Sequence, residues 1–398
     1  MRRIDLKKAS VARADTIRTI NRQIVLNYVR ERAPISRSEI AQETALQRST
    51  VSLIIDELKA GGLIEELEGE STGGRPPTLL RLRAVGPIAV GVDLGTERTV
   101  VATSDLAGRV LEQEEFETDR DAARTLRSVT DCVRKFVRRS GGGIEGVGVS
   151  LPGLVDYESG TALFIPYFKW KDWAVAREIG AATGLPVTVD NDANAAALAE
   201  LWFGRPEVRD VRDFIMVLVE EGLGTGIIFD GQIYRGEGGG AGEFGHMTIG
   251  EGAPVACATG SRTCWEAFAS ERAALAFYEE ALGARRTPSR ASFEQLLDKA
   301  LEGDEAATEA LLKTAHYLGV GIANLIKGLS PEAVIVGGGI ARAWQLVSSR
   351  VKETVVENSF CRGLPVPRIL VSSLGEQPRL MGAVSLVLAR KFASAVPA

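Results

Sequence analysis

Residues 35–64 read Ile35-Ser36-Arg37-Ser38-Glu39-Ile40-Ala41-Gln42-Glu43-Thr44-Ala45-Leu46-Gln47-Arg48-Ser49-Thr50-Val51-Ser52-Leu53-Ile54-Ile55-Asp56-Glu57-Leu58-Lys59-Ala60-Gly61-Gly62-Leu63-Ile64. A charged turn leads from there to Gly73-Gly74-Arg75-Pro76-Pro77. Ser36 and Glu39 form the Ser-x-x-Glu pattern, in which each side chain satisfies the other's backbone N–H, so a short helix starts here and runs to Glu43. Thr44-Ala45-Leu46 is a tight turn. In the next helix Val51, Ile54, Ile55 and Leu58 fall on one stripe, and Arg48, Ser49, Ser52 and Asp56 lie opposite. Gly61-Gly62 stops it. Upstream, Ile17, Ile20, Ile24 and Tyr28 place an amphipathic helix over Thr16–Glu31, which Pro34 ends.

A short helix, a turn and a second helix opening on small polar residues and an arginine is a helix-turn-helix arrangement. Small side chains let the second helix approach a groove floor, and Arg48 can reach base edges or phosphate. The candidate DNA-facing residues are Arg37, Gln47, Arg48, Ser49, Thr50 and Ser52. Leu63–Leu67 and Thr78–Leu82 read as two strands joined by the glycine-rich turn, which makes a wing. Arg75 between Gly74 and Pro76 suits a narrow minor groove, where A·T tracts concentrate negative potential.

Charge divides the chain in the same way. Residues 1–55 carry a net +6, against −11 on the remainder of the 398 residues. A basic head on an acidic body is expected where only the head meets nucleic acid. Length predicts more than one domain, and 45% hydrophobic with 25% charged residues is ordinary for a globular chain. Four cysteines, Cys132, Cys257, Cys264 and Cys361, make no disulfide framework in a chain this long. Residues 1–16 lack the apolar segment of a signal peptide, and no apolar run reaches membrane-spanning length. The expected location is the cytoplasm, with no membrane partner.

Beyond Pro87 buried strands alternate with helices. Ile88–Gly95, Thr99–Ser104, Arg109–Phe116 and Ile144–Ser150 read as strands, with a helix over Arg120–Ser140. The strand Val187–Asp192 runs into a helix Ala193–Trp202. The pattern then restarts, with strands at Asp213–Val219, Thr225–Phe229 and Ala333–Val336 and helices at Trp265–Ala281 and Ala306–Ser330. Two α/β lobes facing each other place ligands at strand ends between them. Within this frame stand Asn191-Asp192-Ala193-Asn194-Ala195-Ala196-Ala197, Glu243-Phe244-Gly245-His246-Met247 and Val334-Ile335-Val336-Gly337-Gly338-Gly339-Ile340.

Together these motifs make the chain resemble the ROK family of repressors, open reading frames and sugar kinases, over roughly residues 17 to 390. The likeness is strongest to its winged-helix repressor branch. The resemblance implies an α/β fold, with an N-terminal winged helix-turn-helix followed by a two-lobed, actin-like, sugar kinase-like body. It divides the chain into a head at 1–85, a small lobe at 86–192 completed by a C-terminal helix at 378–393, and a large lobe at 193–377. It implies sugar binding by Asn191, Asp192, Glu243, His246 and Glu266, with Asp192 the general base in the kinases. Converging carboxylates and amides suit a ring of hydroxyls. An N-cap role competes for Asp190, Asn191 and Asp192.

The resemblance also implies zinc, held by His246 and a Cys-x-Cys-Gly-x-x-Gly-Cys segment. Here Thr259 replaces the middle cysteine and Thr263 the second glycine. His246, Cys257 and Cys264 remain, and a neutral hydroxyl is a poor substitute for thiolate, so the balance tips against the metal. Family kinases carry Asp-x-Gly-Gly-Thr at the first phosphate turn, where this chain has Asp93-Leu94-Gly95-Thr96-Glu97. A carboxylate there opposes a γ-phosphate, so ATP binding and kinase activity are not expected. Asp93, Gly95, Gly224, Thr225 and Gly338 are then vestiges of a nucleotide site. His316 reads as a packing residue. Tyr167, Phe168, Trp170 and Trp173 read as core or lobe edge, with stacking on a sugar face as the alternative. The expected function is a sugar- or phosphosugar-responsive regulator, a repressor, binding operator DNA as a homodimer or higher oligomer. A sugar kinase with a regulatory head is the alternative.

Overall fold

Ser36 and Glu39 close the expected capping box, with Ser36 Oγ accepting from the Glu39 N–H at 3.3 Å and the Glu39 carboxylate accepting from the Ser36 N–H at 2.8 Å. Around this start the head is α1 (Ala14–Arg32), β1 (Ile35–Ser36), α2 (Arg37–Thr44), α3 (Arg48–Ala60), β2 (Ile64–Glu68) and β3 (Thr78–Leu82). Ala45 takes the left-handed conformation, φ 56°, that turns α2 into α3. Val51, Ile54, Ile55 and Leu58 of α3 are all buried. Each buried aliphatic side chain contributes about 1.5–3 kcal/mol. The three strands pair in the order β1-β3-β2, with Leu80 facing both Ile35 and Glu66.

The computed structural model describes residues 14–69, 77–83, 86–209, 211–283, 291–359, 367–375 and 377–393. Arg75 and Cys361 lie outside the described residues.

The body continues with β4 (Ala89–Leu94), β5 (Arg98–Ser104), β6 (Val110–Glu117), α4 (Ala122–Arg139) and β7 (Gly146–Leu151). A small antiparallel sheet follows, β8 (Leu154–Asp156), β9 (Thr161–Ile165) and β10 (Trp170–Trp173). Next come α5 (Val175–Thr183), β11 (Val187–Asn191), α6 (Asp192–Phe203) and α7 (Pro206–Arg209). The second half holds β12 (Phe214–Val219), β13 (Leu223–Phe229), β14 (Gln232–Ile233), α8 (Trp265–Ala269), α9 (Glu271–Leu282), α10 (Phe293–Leu301) and α11 (Glu305–Leu329). It ends with β15 (Ala333–Gly338), α12 (Trp344–Glu357), β16 (Arg368–Val371) and α13 (Pro378–Phe392). Two mixed sheets result, ordered β11-β7-β4-β5-β6 and β14-β13-β12-β15-β16.

The helix expected over Trp265–Ala281 is two helices. Ser270 adopts extended backbone between them, and its hydroxyl caps α9 by accepting from the Ala273 N–H. The aromatic run is core from Phe168 onward, whereas Tyr167 is exposed. Phe168 and Trp170 stack at 4.2 Å, Trp170 and Trp173 meet edge-on at 5.1 Å, and both tryptophans are buried against the first sheet. His316 sits between Thr354 and Arg350, hydrogen-bonded to each through Nδ1.

Two helices, α6 and α13, pack on each other between the two sheets of the body. α13 packs on β4, β7 and α6. Its backbone lies so close to β7 that a Cβ on Gly148 would fall 1.9 Å from the Ala383 carbonyl oxygen. Glu200, fully buried in α6, accepts from Ser372 Oγ at 2.5 Å, the Ser373 N–H at 2.7 Å and Ser373 Oγ at 2.9 Å. A buried charge is tolerated when hydrogen-bonded in this way. Gly148→Ala therefore forces α13 off the sheet. It is expected to lower stability by about 1–3 kcal/mol or more, read as a lower urea midpoint. A wild-type midpoint would contradict this packing.

Candidate functional site

β11 delivers three adjacent polar residues to one place, and the structure gives each a different task. Asp190 is buried and accepts two hydrogen bonds from Arg235, at 3.0 Å from Nε and 2.6 Å from Nη2. The guanidinium carbon also lies 3.7 Å from the centroid of the Tyr157 ring. Asn191 is the N-cap of α6. Its Oδ1 accepts from Ala193 N–H at 2.9 Å and Asn194 N–H at 3.2 Å, and its Nδ2 donates to Gly153 O at 3.1 Å. The capping role thus falls on Asn191. Asp192 keeps one oxygen on the Ala193 N–H, at 2.8 Å.

The turn between β12 and β13 lies between Asp192 and Glu266. A Cβ on Gly224 would sit 3.8 Å from Asp192 Oδ1, and one on Gly222 would sit 3.3 Å from Glu266 Oε2. Glu266 is buried, and its Oε1 accepts from the Ala258 N–H at 3.0 Å and Arg272 Nη2 at 2.8 Å. Glu243 and His246 belong to a single 3-10 turn, Glu243–His246, that packs against α8. His246 Nε2 is 3.9 Å from the Glu243 carboxylate. Burial raises the Glu243 carboxyl above its ordinary value, His246 pulls it back, and Glu266 adds to the rise. The structure brings Glu243, His246 and Glu266 together on one side of this turn, with Asp192 on the other.

Sequence reasoning missed the residues that fill the space beside Asp192. Arg379, in the first turn of α13, has Nε 3.3 Å from Asp93 Oδ2 and Nη1 3.9 Å from Glu220 Oε2. Thr96 Oγ1 donates to Glu221 at 2.5 Å, joining the β4–β5 turn to the β12–β13 turn. The available signal was Glu220-Glu221, two acids directly after an entirely buried strand. Asp192 is pushed up to about 7, chiefly by burial, with Asp93 and Glu220 adding to the rise and Arg379 opposing it. Asp93 itself is raised by burial despite Arg379.

The residues assigned as nucleotide vestiges have packing reasons of their own. Gly95 has Arg98 O and Arg379 against it, Gly224 has the Ala193 methyl, and Gly338 has Val219 O at a φ of 87°. Thr225 donates its hydroxyl to Gly242 O and so fastens the loop before Glu243.

Around Cys257 the expected metal ligands do converge. Ligand atoms of His246, Cys257 and Cys264 all lie within 4.8 Å of one another. The Cys257 and Cys264 sulfurs are 3.4 Å apart, and Thr259 Oγ1 is 3.1 Å from Cys257 Sγ. His246 Nδ1 is buried with no hydrogen-bond partner. Two thiols and an orphaned imidazole nitrogen fit a zinc ion held by three strong ligands.

On the head, Gln47, Arg48 and Ser49 are exposed at the start of α3, and Thr50 and Ser52 are half-buried. Arg37, the remaining member of the expected DNA-facing set, has partners within the head. Its guanidinium bonds Asp56 and Glu66 at 2.9 Å each and Ser52 O at 3.3 Å, so it fastens α2 to α3 and β2. Leu53, 57% exposed on the same face as Ser49, was not anticipated. An apolar side chain there can meet a thymine methyl.

The raised Asp192 carboxyl carries a pH consequence. The folded state holds this proton up to about pH 7, whereas an ordinary carboxyl releases it near ~3.9. The folded state therefore binds more protons across that window, and this group lowers stability as pH rises through it. Asp192→Asn removes the effect. Its stability relative to wild type is expected to grow between about pH 4 and 7 and then level off, as read by urea midpoints. A pH-independent difference would contradict the assignment.

Comparison with known proteins follows the same division. A family model described as the ROK family matches residues 89–390, and one described as winged helix-turn-helix DNA-binding matches residues 18–65. The xylose repressor of Caldicellulosiruptor bescii is 34% identical over 387 residues, covering 94% of this chain and 96% of that protein. The crystal structure of a ROK family transcriptional regulator, a homologue of the E. coli MLC protein, matches with a TM-score of 0.77 at 27% identity. It covers 96% of this chain and 98% of that one. A ROK family glucokinase from Streptomyces griseus, solved with glucose and AMPPNP, matches with a TM-score of 0.67 at 29% identity. It covers 75% of this chain and 98% of that one. On the span of that family match and the identity to a full-length relative, this chain belongs to the ROK family and carries a winged helix-turn-helix head.

Proposed function

We propose that this chain is a sugar-responsive transcriptional repressor, in which a sugar bound at the cleft alters the hold of the winged head on operator DNA. One observation carries the link between cleft and head. Both central helices, α6 and α13, start at the cleft and end at the head. α6 begins at Asp192, and its Trp202 lies 4.6 Å from the Arg30 guanidinium carbon. α13 begins beside Arg379, and its Phe392 lies 4.8 Å from the same carbon. Asn27 Nδ2 donates to Phe392 O at 2.8 Å. Val25, Leu26 and Val29 of α1 share one apolar cluster with Val384, Leu388 and Phe392.

A sugar's hydroxyls donate to Asp192, Glu243 and Glu266 and meet Asn191 and His246. Drawing the two sheets together over the ring displaces the starts of α6 and α13, and stiff helices carry that displacement to α1. For this to alter DNA binding, the sugar must bind one arrangement better than the other. A homodimer would present two heads to two half-sites of a palindrome. The likeness to a named xylose repressor and to a ROK transcriptional regulator supports a regulator rather than a sugar kinase. So does the Arg379–Asp93 pair beside the degraded phosphate turn.

Zinc, if bound, would be held by His246, Cys257 and Cys264. It would tie the Glu243–His246 turn to α8 and thereby orient both Glu243 and Glu266. Thr259 weighs against the metal, but the convergence of three ligand atoms reverses that expectation, so elemental analysis of chain purified without chelators is expected to find near-stoichiometric zinc. Cys264→Ala should lose it and weaken sugar binding without touching sugar. A metal-free protein that still binds sugar would show that packing alone holds the turn.

The function itself is tested by a gel-shift titration on the operator after a thermal-shift screen of sugars. A true ligand at a hundredfold excess over Kd stabilises by ~2.7 kcal/mol. Arg48→Ala is expected to weaken operator binding by about 1–3 kcal/mol, most for sequences unaltered at its contacted base. Wild-type operator affinity in that variant, or the same affinity with and without a stabilising sugar, would contradict the reading.

A further inference from the structure

We propose that the cleft accepts an uncharged sugar and turns away its phosphate ester, with Glu220 and Glu221 setting that preference; the proposal rests on the sugar-binding reading above. Asp93, Asp192, Glu220 and Glu221 all act electrostatically on Arg379, and Glu271 of α9 feels Glu220, Glu221 and Arg379. Five carboxyl groups thus lie within electrostatic reach of one guanidinium, two of them within 4 Å of it. Arg379 is itself engaged, 3.3 Å from Asp93 and 3.9 Å from Glu220. The Glu271 backbone N–H bonds Glu220 O at 2.9 Å, so α9 brings its acid to this point by construction.

The neighbouring guanidiniums are engaged as well. Arg272 donates to Glu266 at 2.8 Å and to Glu221 O at 2.9 Å, and Arg235 donates twice to Asp190. A phosphate group is recognised by cationic donors with geometry to spare. Here each guanidinium already has a carboxylate, and the surrounding charge has the same sign as the phosphate. A sugar hydroxyl is the opposite case. It is a neutral donor, and carboxylates are pure acceptors. Burial and mutual crowding hold protons on the cluster, with Glu271 pushed up to about 8 and Asp192 to about 7, so its full negative charge, and the exclusion that depends on it, develops above about pH 8.

Calorimetric titration of the full-length protein tests this with three free sugars, glucose, N-acetylglucosamine and xylose, and with glucose 6-phosphate and N-acetylglucosamine 6-phosphate. The expected result is binding of a free sugar, with phosphate esters at least about 100-fold weaker at low salt. In Glu220→Gln/Glu221→Gln protein, a phosphate ester is expected to gain about tenfold relative to its free sugar, and raising salt on the wild type should narrow the same gap. The salt series needs no variant, so it stands if the double substitution fails to fold. A phosphate ester that binds as tightly as a free sugar overturns the proposal. So does a gap that neither salt nor the double substitution changes, since exclusion is then steric. No binding of any of the five overturns the sugar-binding reading itself, and this proposal with it.

Discussion

Gly382 lets the backbone of α13 lie against α6 so closely that a Cβ there would sit 2.5 Å from the Ala195 carbonyl carbon. Around it Ala193, Ala195, Ala196, Ala197 and Ala199 keep the facing helix narrow, and all five are buried. Small residues at this contact do for two helices what they do at any close crossing, bringing backbones within reach of dispersion and fixing their relative position. The remaining features depend on that fixed pair. One end of it holds Asp192 and Arg379, and the other holds Trp202 and Phe392 around Arg30. Protein interiors transmit strain because they are close-packed.

Much of the head was legible because its signals are local. The Ser36–Glu39 box, the Val51–Leu58 stripe and the Gly61-Gly62 stop each lie within one helix, and the structure reproduces them. Strand Thr78–Leu82 was read with its observed bounds. The sequence misled where tertiary contacts override local pattern. Trp265–Ala281 keeps helical periodicity through Ser270, yet the chain breaks there, and Glu271 N–H bonds Glu220 O. The short strands β8 to β10 escaped because their residues are ordered by packing on the first sheet rather than by alternation.

The candidate site shows the same limit. Asn191, Asp192, Glu243, His246 and Glu266 were accessible through motif resemblance, and the structure sets Asp192 and Glu266 on either side of one turn. Arg379 was not, because it stands 187 positions beyond Asp192 on a helix whose role is set by sheet contacts. The ion pairs of Arg37 were not legible because nothing near it in sequence announces Asp56 and Glu66 as partners. Asn191 likewise carries the cap of α6, a task that only backbone geometry reveals.

The central claim is that cleft and head communicate through α6, α13 and the guanidinium of Arg30. The most direct measurement is operator affinity with and without a bound sugar, in the wild type and in Arg30→Ala, with sugar affinity measured beside it. In the wild type the sugar is predicted to alter operator Kd by about 5- to 150-fold, the usual span of such couplings. In Arg30→Ala that factor should fall towards one while sugar Kd stays within about twofold. A coupling factor unchanged by Arg30→Ala would contradict the account.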